Sequence, residues 1–268
     1  SSLVKISYEF EVSAIENKED KSILYSLSKN SPLETPLLIL ADGGKNNTDL
    51  IRNLKRKETS YNHTALVTKV TSEIPPKSVA YERFTSMGPI ALLPNGPKEF
   101  SLVWTGKDSD IQALAKTKKN VFLEKLHEHF GDRVGRFIDC EKFITFPLRK
   151  IVLADFPKSH IVVIGNSAQT MHPVAGQGFN TGIRDAHALS KLMNESESVY
   201  IGSESFINQY YASRKSETKK TLFFTDSLVN IFSNDLVGLS ITRGFSLSLL
   251  DNFRPIKKFL VNKMSFGK

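Results

Sequence analysis

The sequence predicts an α/β fold that is interrupted by an α+β unit and followed by helices. Two continuous apolar runs, at residues 36–41 and 160–165, each end next to glycine, as buried strands of a parallel sheet do. Between them, from residue 63 to residue 149, short segments alternate apolar and polar residues at period two, which is typical of an antiparallel sheet. From residue 205 onward, apolar residues recur at helical spacing.

The individual elements are expected in the following order. Residues 4–12 alternate in polarity and predict a half-buried strand that pairs with a second strand at residues 22–27. The strands of the middle block are predicted at residues 64–70, 79–85, 89–93, 100–105 and 143–148, with one helix at residues 120–130. After the second apolar run and its glycine loop, a helix is predicted at residues 179–193, with its apolar face formed by Phe179, Ile183, Ala186, Leu189 and Met193.

These patterns divide the chain into four regions. Residues 1–60 and 150–195 are the two parts of the α/β domain, and residues 61–149 are an antiparallel-sheet domain inserted between them. Residues 196–268 form a C-terminal helical region.

Composition excludes several classes of protein. With 40% hydrophobic and 24% charged residues, the chain is neither disordered nor collagen-like. No apolar stretch approaches the roughly 18 residues that a spanning helix needs, and the first residues lack a signal pattern. The single cysteine, Cys140, cannot form an internal disulfide, and it has no neighbouring set of metal ligands. These features favour a reducing cytoplasm and no metal.

The chain carries a formal charge of +8, which favours anionic partners. Nucleic acid ranks last among these partners because the sequence has no nucleic-acid-binding motif. The basic run of Arg52, Lys55, Arg56 and Lys57 is interpreted as a solvated face rather than a phosphate site.

The loop between residues 166 and 178 carries most of the functional information. Gly176 and Gly178 come directly before a predicted helix, where bare N–H groups and the helix dipole bind negative charge or a polarised carbonyl. These glycines lie well beyond the strand that ends at Gly165, so the loop is not the usual dinucleotide fingerprint. The glycines alone support a plain connecting loop equally well.

The run from Gly165 to Asp185 is similar to the third flavin-binding motif of the group A aromatic-ring hydroxylases, G-D-A-A-H, a spacer, P, then G-Q-G-x-N and a helix. It most resembles the ubiquinone-biosynthesis branch, the 2-polyprenyl-6-methoxyphenol hydroxylases, in which Asn and Gln replace Asp and His, as Asn166 and Gln169 do here. Further segments along the chain resemble the family: Ala41–Gly43, Glu82–Thr85, Gly88–Pro94, Ser101–Trp104, Tyr210 with Arg214, Thr225–Leu228, Phe232–Asn234, Arg243 with Gly244, Leu250–Asp251 and Pro255 with Lys257.

One part of the family pattern has no counterpart. The family begins with a βαβ unit that carries G-x-G-x-x-G and an acidic residue for the adenosine half of FAD, and nothing before Ala41 matches either element. The sequence therefore resembles a truncated FAD-binding domain with an inserted substrate domain. Whether this chain binds FAD by itself stays open.

The resemblance implies an enzyme in which FAD, reduced by NADH or NADPH, transfers one oxygen atom of O₂ to a polyprenyl phenol. The chemistry belongs to the flavin, so no side chain is named as catalytic. Other ubiquinone-biosynthesis enzymes are expected partners. A peripheral contact with the inner membrane is one interpretation of the basic amphipathic stripe at residues 253–264, and packing on the protein's own core is the other. A non-catalytic scaffold that keeps the fold is the alternative function.

The resemblance also implies site residues. The expected cofactor-binding residues are Asp42, Gly43, Asn166, Pro173, Gly176, Gln177, Gly178, Phe179 and Asn180, and the substrate candidates are Arg83, Phe84, Gly88 and Pro89. Asn180 has two interpretations, a helix cap or a contact with the ring. His172 is interpreted as structural, and Trp104 as a core residue. His127 and His129 cannot share a helix face, which disfavours a metal site there.

Overall fold

The computed structural model describes residues 3–28, 31–44, 54–173 and 176–232, with a few more between 253 and 262. The chain divides into two compact units. The first unit comprises residues 1–59 and 150–223, and the second comprises residues 60–149 and 224–268. The roles predicted for these units, flavin binding and substrate binding, stay predictions.

The described strands and helices alternate in blocks along the chain. The strands are β1 (Val12–Asn17), β2 (Ser22–Ser26), β3 (Leu33–Thr35), β4 (Leu38–Leu40), β5 (Arg56–Ser72), β6 (Tyr81–Thr85), β7 (Gly88–Pro94), β8 (Glu99–Lys107), β9 (Phe137–Cys140), β10 (Ile144–Leu153), β11 (Ile161–Val163) and β12 (Gln169–Thr170). The helices are α1 (Asp108–Ala115), α2 (Lys119–Phe130), α3 (Gln177–Glu195) and α4 (Glu204–Phe232).

The first unit is built around a parallel pair of strands, β4 and β11, as the two apolar runs predict. Ile161 and Val163 of β11 pack in one apolar cluster with Leu40, while Val162 packs on the opposite side with Phe206 of α4. Strand β11 is therefore buried on both faces, which explains its continuous apolar run, whereas Ile39 of β4 is 40% exposed. Strands β1, β2 and β3 form a separate antiparallel sheet in the same unit.

The second unit is an antiparallel sheet covered by helices. Strand β8 lies between β5 and β7, and β6 pairs with the other side of β7. Alternate side chains of the sheet face one core, in which fully buried Trp104 contacts Phe122 of α2 with ring centroids 6.1 Å apart. The core position predicted for Trp104 is confirmed.

Two predictions about secondary structure are wrong. Residues 4–11 form no strand, and β1 begins only at Val12. Val4, Ile6 and Tyr8 are exposed, so their alternating pattern has no layer to pack against. The middle block contains α1 in addition to the single predicted helix. Helix α1 follows β8 directly and has two acidic residues, Asp108 and Asp110, in its first turn. Acidic residues suit a helix N-terminus, but in sequence they are also typical of a turn.

The predicted apolar face of α3 is also partly wrong. Phe179 is 78% exposed and Ile183 is 55% exposed. The buried face is formed by residues at four-residue spacing, three of them polar: Gln177, Thr181, Asp185 and Leu189. The polar partners of Asp185, which are Gly165, Gln169 and Arg214, decide together with apolar contacts which side of this helix faces inward.

Several predictions near the C-terminus fall outside the described residues. Of the predicted amphipathic stripe, Ile256, Phe259, Leu260, Lys263 and Met264 belong to the part that is not described. The same holds for the family-like segments at residues 233–234 and 243–251. No helix among the described residues has both the length and the apolar content needed to cross a bilayer.

Candidate functional site

Two loops meet at the carboxyl ends of the parallel strands β4 and β11, the edge at which α/β sheets bind ligands. A carboxylate oxygen of Asp42, in the first loop, accepts a hydrogen bond from the Ser167 hydroxyl of the second loop at 2.6 Å. The Gly44 N–H donates to Asp42 Oδ1 at 3.0 Å and to Ser167 Oγ at 3.2 Å. These bonds hold together two segments that are 125 residues apart in sequence.

The close approach of the two loops requires glycine at residue 44. Gly44 has φ +81°, and a Cβ atom there would lie 2.9 Å from the carbonyl oxygen of Asn166. The Gly44 carbonyl in turn accepts a hydrogen bond from Arg56 Nη1 at 3.3 Å. Half-buried Arg56 therefore supports the loop, and its assignment to a solvated face is wrong. Lys55 and Lys57 are exposed as predicted.

The start of α3 forms the third part of the site. Its N-cap is Gly176, with φ +61° and no side chain to accept from the first-turn amides. The N–H groups of Gly178 and Phe179 have no acceptor within the helix, because the first turn of any helix leaves them unpaired. A Cβ atom on Gly178 would lie 3.9 Å from Asn166 Oδ1. The fold thus brings the predicted residues Asn166 and Gly178 together.

Two details differ from the expected roles at this helix start. The Gly176 N–H donates to the carbonyl oxygen of Pro173 at 3.0 Å, so it stabilises the turn instead of facing a ligand. Asn180 lies inside α3, so the interpretation of Asn180 as the helix cap is wrong. Fully buried His172 fits the structural role expected of it.

The exposed parts of the three segments form an open surface. The exposed residues among those predicted to bind cofactor are Gly43, Asn166, Pro173, Gly176 and Phe179. Asp42, Gly178 and Asn180 are half-buried, and Gln177 is buried. The surface combines backbone donors, an amide side chain and rings, so it offers both hydrogen bonds and apolar contacts to a ligand.

A buried carboxylate, which the sequence analysis missed, supports this surface from below. Asp185 is 2% exposed. Its Oδ2 accepts from the Gly165 N–H at 3.0 Å and from Gln169 Nε2 at 2.8 Å, and its Oδ1 accepts from Arg214 Nε at 2.8 Å. One side chain thereby joins β11's loop, α3 and α4. The sequence signal that could have identified Asp185 is its position four residues after Thr181 and four before Leu189, on one face of the helix.

The charge of Asp185 is balanced by a wider network. Arg214 Nη1 also donates to Glu217, whose Oε1 accepts from Arg184 Nη1 at 3.2 Å. Burial opposes the charged form of Arg214, but hydrogen bonding and charge from Asp185, with Glu217, raise its pKa above the ordinary value. The guanidinium therefore stays charged.

Tyr211 lies beside the outer edge of β11. Its hydroxyl oxygen accepts from the Val163 N–H at 3.1 Å. Burial raises the pKa of Tyr211 above its usual range, although the bond from Val163 works in the opposite direction. The phenol thus remains neutral and satisfies a backbone donor of β11 that pairs with no other described strand.

The substrate candidates lie on the β6–β7 hairpin of the second unit. Phe84 pairs in register with Pro89, and Arg83 pairs with Ile90. Gly88 and Pro89 are buried, and the Pro89 carbonyl accepts from Thr105 Oγ1 at 3.1 Å, so both contribute to packing. Exposed Arg83 and half-buried Phe84 remain the hairpin's candidates for contacting a ligand.

Ser167→Ala is expected to loosen the two-loop contact. The change removes the hydroxyl that bonds Asp42 and Gly44 and should lower the free energy of unfolding by about 1–2 kcal/mol. Urea unfolding followed by far-UV circular dichroism measures this. Ser190→Ala, at an exposed position of α3, is the matched control and should change it by less than about 0.5 kcal/mol. Equal values for the two variants would contradict the role of Ser167.

Comparison with known protein families identifies the family of this chain. The model of a family described as FAD binding domain matches residues 4–225. The chain belongs to this FAD-binding family. This match confirms the resemblance to flavin-dependent enzymes and supports FAD as the cofactor class.

Curated relatives of the chain include ubiquinone hydroxylases. It is 27% identical over 238 residues to the ubiquinone hydroxylase UbiL of Rhodospirillum rubrum, covering 88% of the chain and 56% of UbiL. It is 25% identical to the mitochondrial ubiquinone biosynthesis monooxygenase COQ6 of Caenorhabditis elegans, covering 98% of the chain and 67% of COQ6. An uncharacterized Synechocystis protein, slr1300, is 29% identical, with coverage of 87% and 57%. The chain spans just over half the length of UbiL and slr1300.

Solved structures confirm the predicted fold class. The Diels-Alderase PyrE3 matches with a TM-score of 0.71 at 16% identity, covering 96% of this chain and 55% of PyrE3. PqsL of Pseudomonas aeruginosa, titled a probable FAD-dependent monooxygenase, matches with a TM-score of 0.68 at 18% identity, covering 84% and 64%. HpxO of Klebsiella pneumoniae, solved with FAD and uric acid, matches with a TM-score of 0.68 at 13% identity, covering 96% and 65%.

Proposed function

We propose that the chain is the flavin-ring-binding and substrate-binding part of an FAD-dependent monooxygenase that hydroxylates a polyprenyl phenol in ubiquinone biosynthesis. The observation that carries this proposal is the junction of the Asp42 loop, the Ser167 loop and the open start of α3 in a chain of the FAD-binding family. The names of the relatives UbiL and COQ6 support the substrate class.

The residues at this junction fit one end of a flavin nucleotide. The N–H groups of Gly178 and Phe179, in the first turn of α3, would donate to a ring carbonyl, and the positive end of the α3 dipole favours negative charge there. The Asn166 amide can both accept from and donate to hydroxyls of the ribityl chain. Pro173 presents a rigid ring without an oxidisable group. When bound, FAD supplies the electron transfer and oxygen transfer that the side chains cannot.

The finer assignments belong to the same proposal. NADH or NADPH supplies the electrons, and Arg83 and Phe84 contact the phenol. Because a polyprenyl substrate dissolves in a bilayer, we infer that the protein works in the cytoplasm at the surface of the inner membrane, among other enzymes of the pathway.

Flavin binding is tested by titrating the chain with FAD and following quenching of flavin fluorescence. Gly178→Leu should weaken binding by about tenfold or more, on the order of 1.4 kcal/mol, because its side chain would occupy the space before the N–H donors. The fold should tolerate the change, since among the described residues outside the helix's own backbone a Cβ atom at residue 178 meets Asn166 Oδ1 alone, at 3.9 Å. The control variant Ser190→Leu places the same leucine side chain at an exposed position farther along α3, and this variant should bind FAD normally.

Activity is tested on the same preparation. The FAD-loaded chain is supplied with NADH or NADPH, ¹⁸O₂ and a short-chain prenylated phenol, and the product is analysed by mass spectrometry. One ¹⁸O atom in the phenolic product is expected. Absence of FAD binding by the unmodified chain would favour the scaffold alternative, whereas FAD binding without labelled product would refute only the hydroxylase activity.

A further inference from the structure

The first unit contains a cavity of about 570 Å³ that the proposed flavin site does not use. It is lined by the end of β10 and the residues after it, by β11, by one residue of α3 and by one side of α4. Its lining includes none of the residues predicted to bind flavin. Its volume lies within the range of small-molecule sites, roughly 300–1,000 Å³.

The wall of the cavity is largely apolar. Leu153, Val163, Ala168 and Leu222 contribute aliphatic side chains. Phe156 and Tyr211 contribute aromatic rings whose centroids lie 4.0 Å apart. Such a wall binds hydrocarbon in preference to water.

The charged residues of the cavity are mostly cationic. Lys215 and Lys219, one helical turn apart on α4, are exposed at its border. Asp185 is the acidic residue in the lining, and Arg214 already neutralises it. Arg214 is itself 7% exposed, and its buried Nη2 has no acceptor among the residues that the structure describes. The cavity therefore combines an apolar interior with an excess of positive charge.

We propose that this cavity binds a small amphiphile with an apolar chain and one carboxylate, of the size of a medium-chain fatty acid. The chain would lie along Leu153, Val163 and Leu222, where each buried methylene strengthens binding by about fourfold. The carboxylate would meet Lys215 and Lys219 on α4. Neutral chains of the same length bind more weakly because they leave these cations without a partner.

Three ligands with one chain length separate apolar attraction from charge. Isothermal titration calorimetry of the full chain with decanoate, decanol and decyltrimethylammonium, each below its micelle concentration, gives the three affinities. Decanoate should bind about five- to tenfold more tightly than decanol, as expected for two partly exposed charge pairs. The cationic amphiphile should bind most weakly. Equal affinities for the three ligands would overturn the proposal.

Variants locate the binding site. Lys215→Gln with Lys219→Gln should lower decanoate affinity to that of decanol, whereas Lys220→Gln, an exposed lysine on α4 outside the cavity, should have no effect. Ala212→Trp should fill the cavity and abolish binding of both ligands. Amide chemical shifts of Val163 and Leu222 on adding decanoate report the location even if the tryptophan variant is unstable.

Two further outcomes would also overturn the proposal. One is decanoate binding unchanged in a folded Ala212→Trp variant, and the other is shifts confined to the second unit. FAD affinity should be the same with and without decanoate, because the cavity lining includes none of the residues proposed to contact flavin. Failure of this inference therefore leaves the proposed function standing, and the reverse also holds.

Discussion

Replacement of Asp185 by alanine should destabilise the protein by about 3–5 kcal/mol, as loss of one partner of a buried ion pair does. The carboxylate is 2% exposed and accepts from Gly165, Gln169 and Arg214. Its removal leaves the Arg214 guanidinium charged and buried. Urea unfolding followed by far-UV circular dichroism measures the loss.

Two comparisons separate this network from the general effect of removing an acid. Glu195→Ala, at the exposed end of α3, breaks only a surface pair with Lys191 and should cost less than about 0.5 kcal/mol. Asp185→Ala combined with Arg214→Met should cost less than the sum of the two single changes, because the second change removes the buried charge that Asp185 neutralises. An Asp185→Ala variant as stable as Glu195→Ala would contradict the interpretation.

Replacement of Gly88 by alanine should cost about 3 kcal/mol. Gly88 has φ +131°, and a Cβ atom there would lie 2.1 Å from the carbonyl oxygen of Thr105 on β8. Left-handed strain and the displacement of β7 from β8 both contribute. The fluorescence of Trp104, the single tryptophan and a β8 residue of the same core, follows unfolding of this unit.

A second glycine in the same unit provides the control for Gly88. Gly131 has φ +57°, but a Cβ atom built on it meets no described residue within 4 Å apart from its chain neighbours. Gly131→Ala should therefore cost only the backbone strain, about 1 kcal/mol. If both alanine variants lose the same stability, the close approach to Thr105 does not contribute to the stability of the unit. Gly88 would then again be a candidate for contacting substrate.

The prediction of the fold from sequence succeeded where burial is complete. The run that became β11 is apolar because both of its faces are covered, and the run that became β4 pairs with it in parallel. It failed for residues 4–11, where the same alternation that predicts a strand lacks a covering layer. It also failed for α3, whose inward face is selected by polar partners of Asp185 rather than by Phe179 and Ile183.

The sequence by itself determined the two buried strands, the glycine loop before a helix and the resemblance to flavin-dependent hydroxylases, because these features are encoded within short segments. Only the tertiary structure decided that Ser167 holds Asp42 across 125 residues of sequence and that Arg214 neutralises Asp185 across 29. Hydrogen bonds between distant segments leave no periodic pattern in the sequence. Their partners follow from the path of the chain, which is set by the packing of the whole unit.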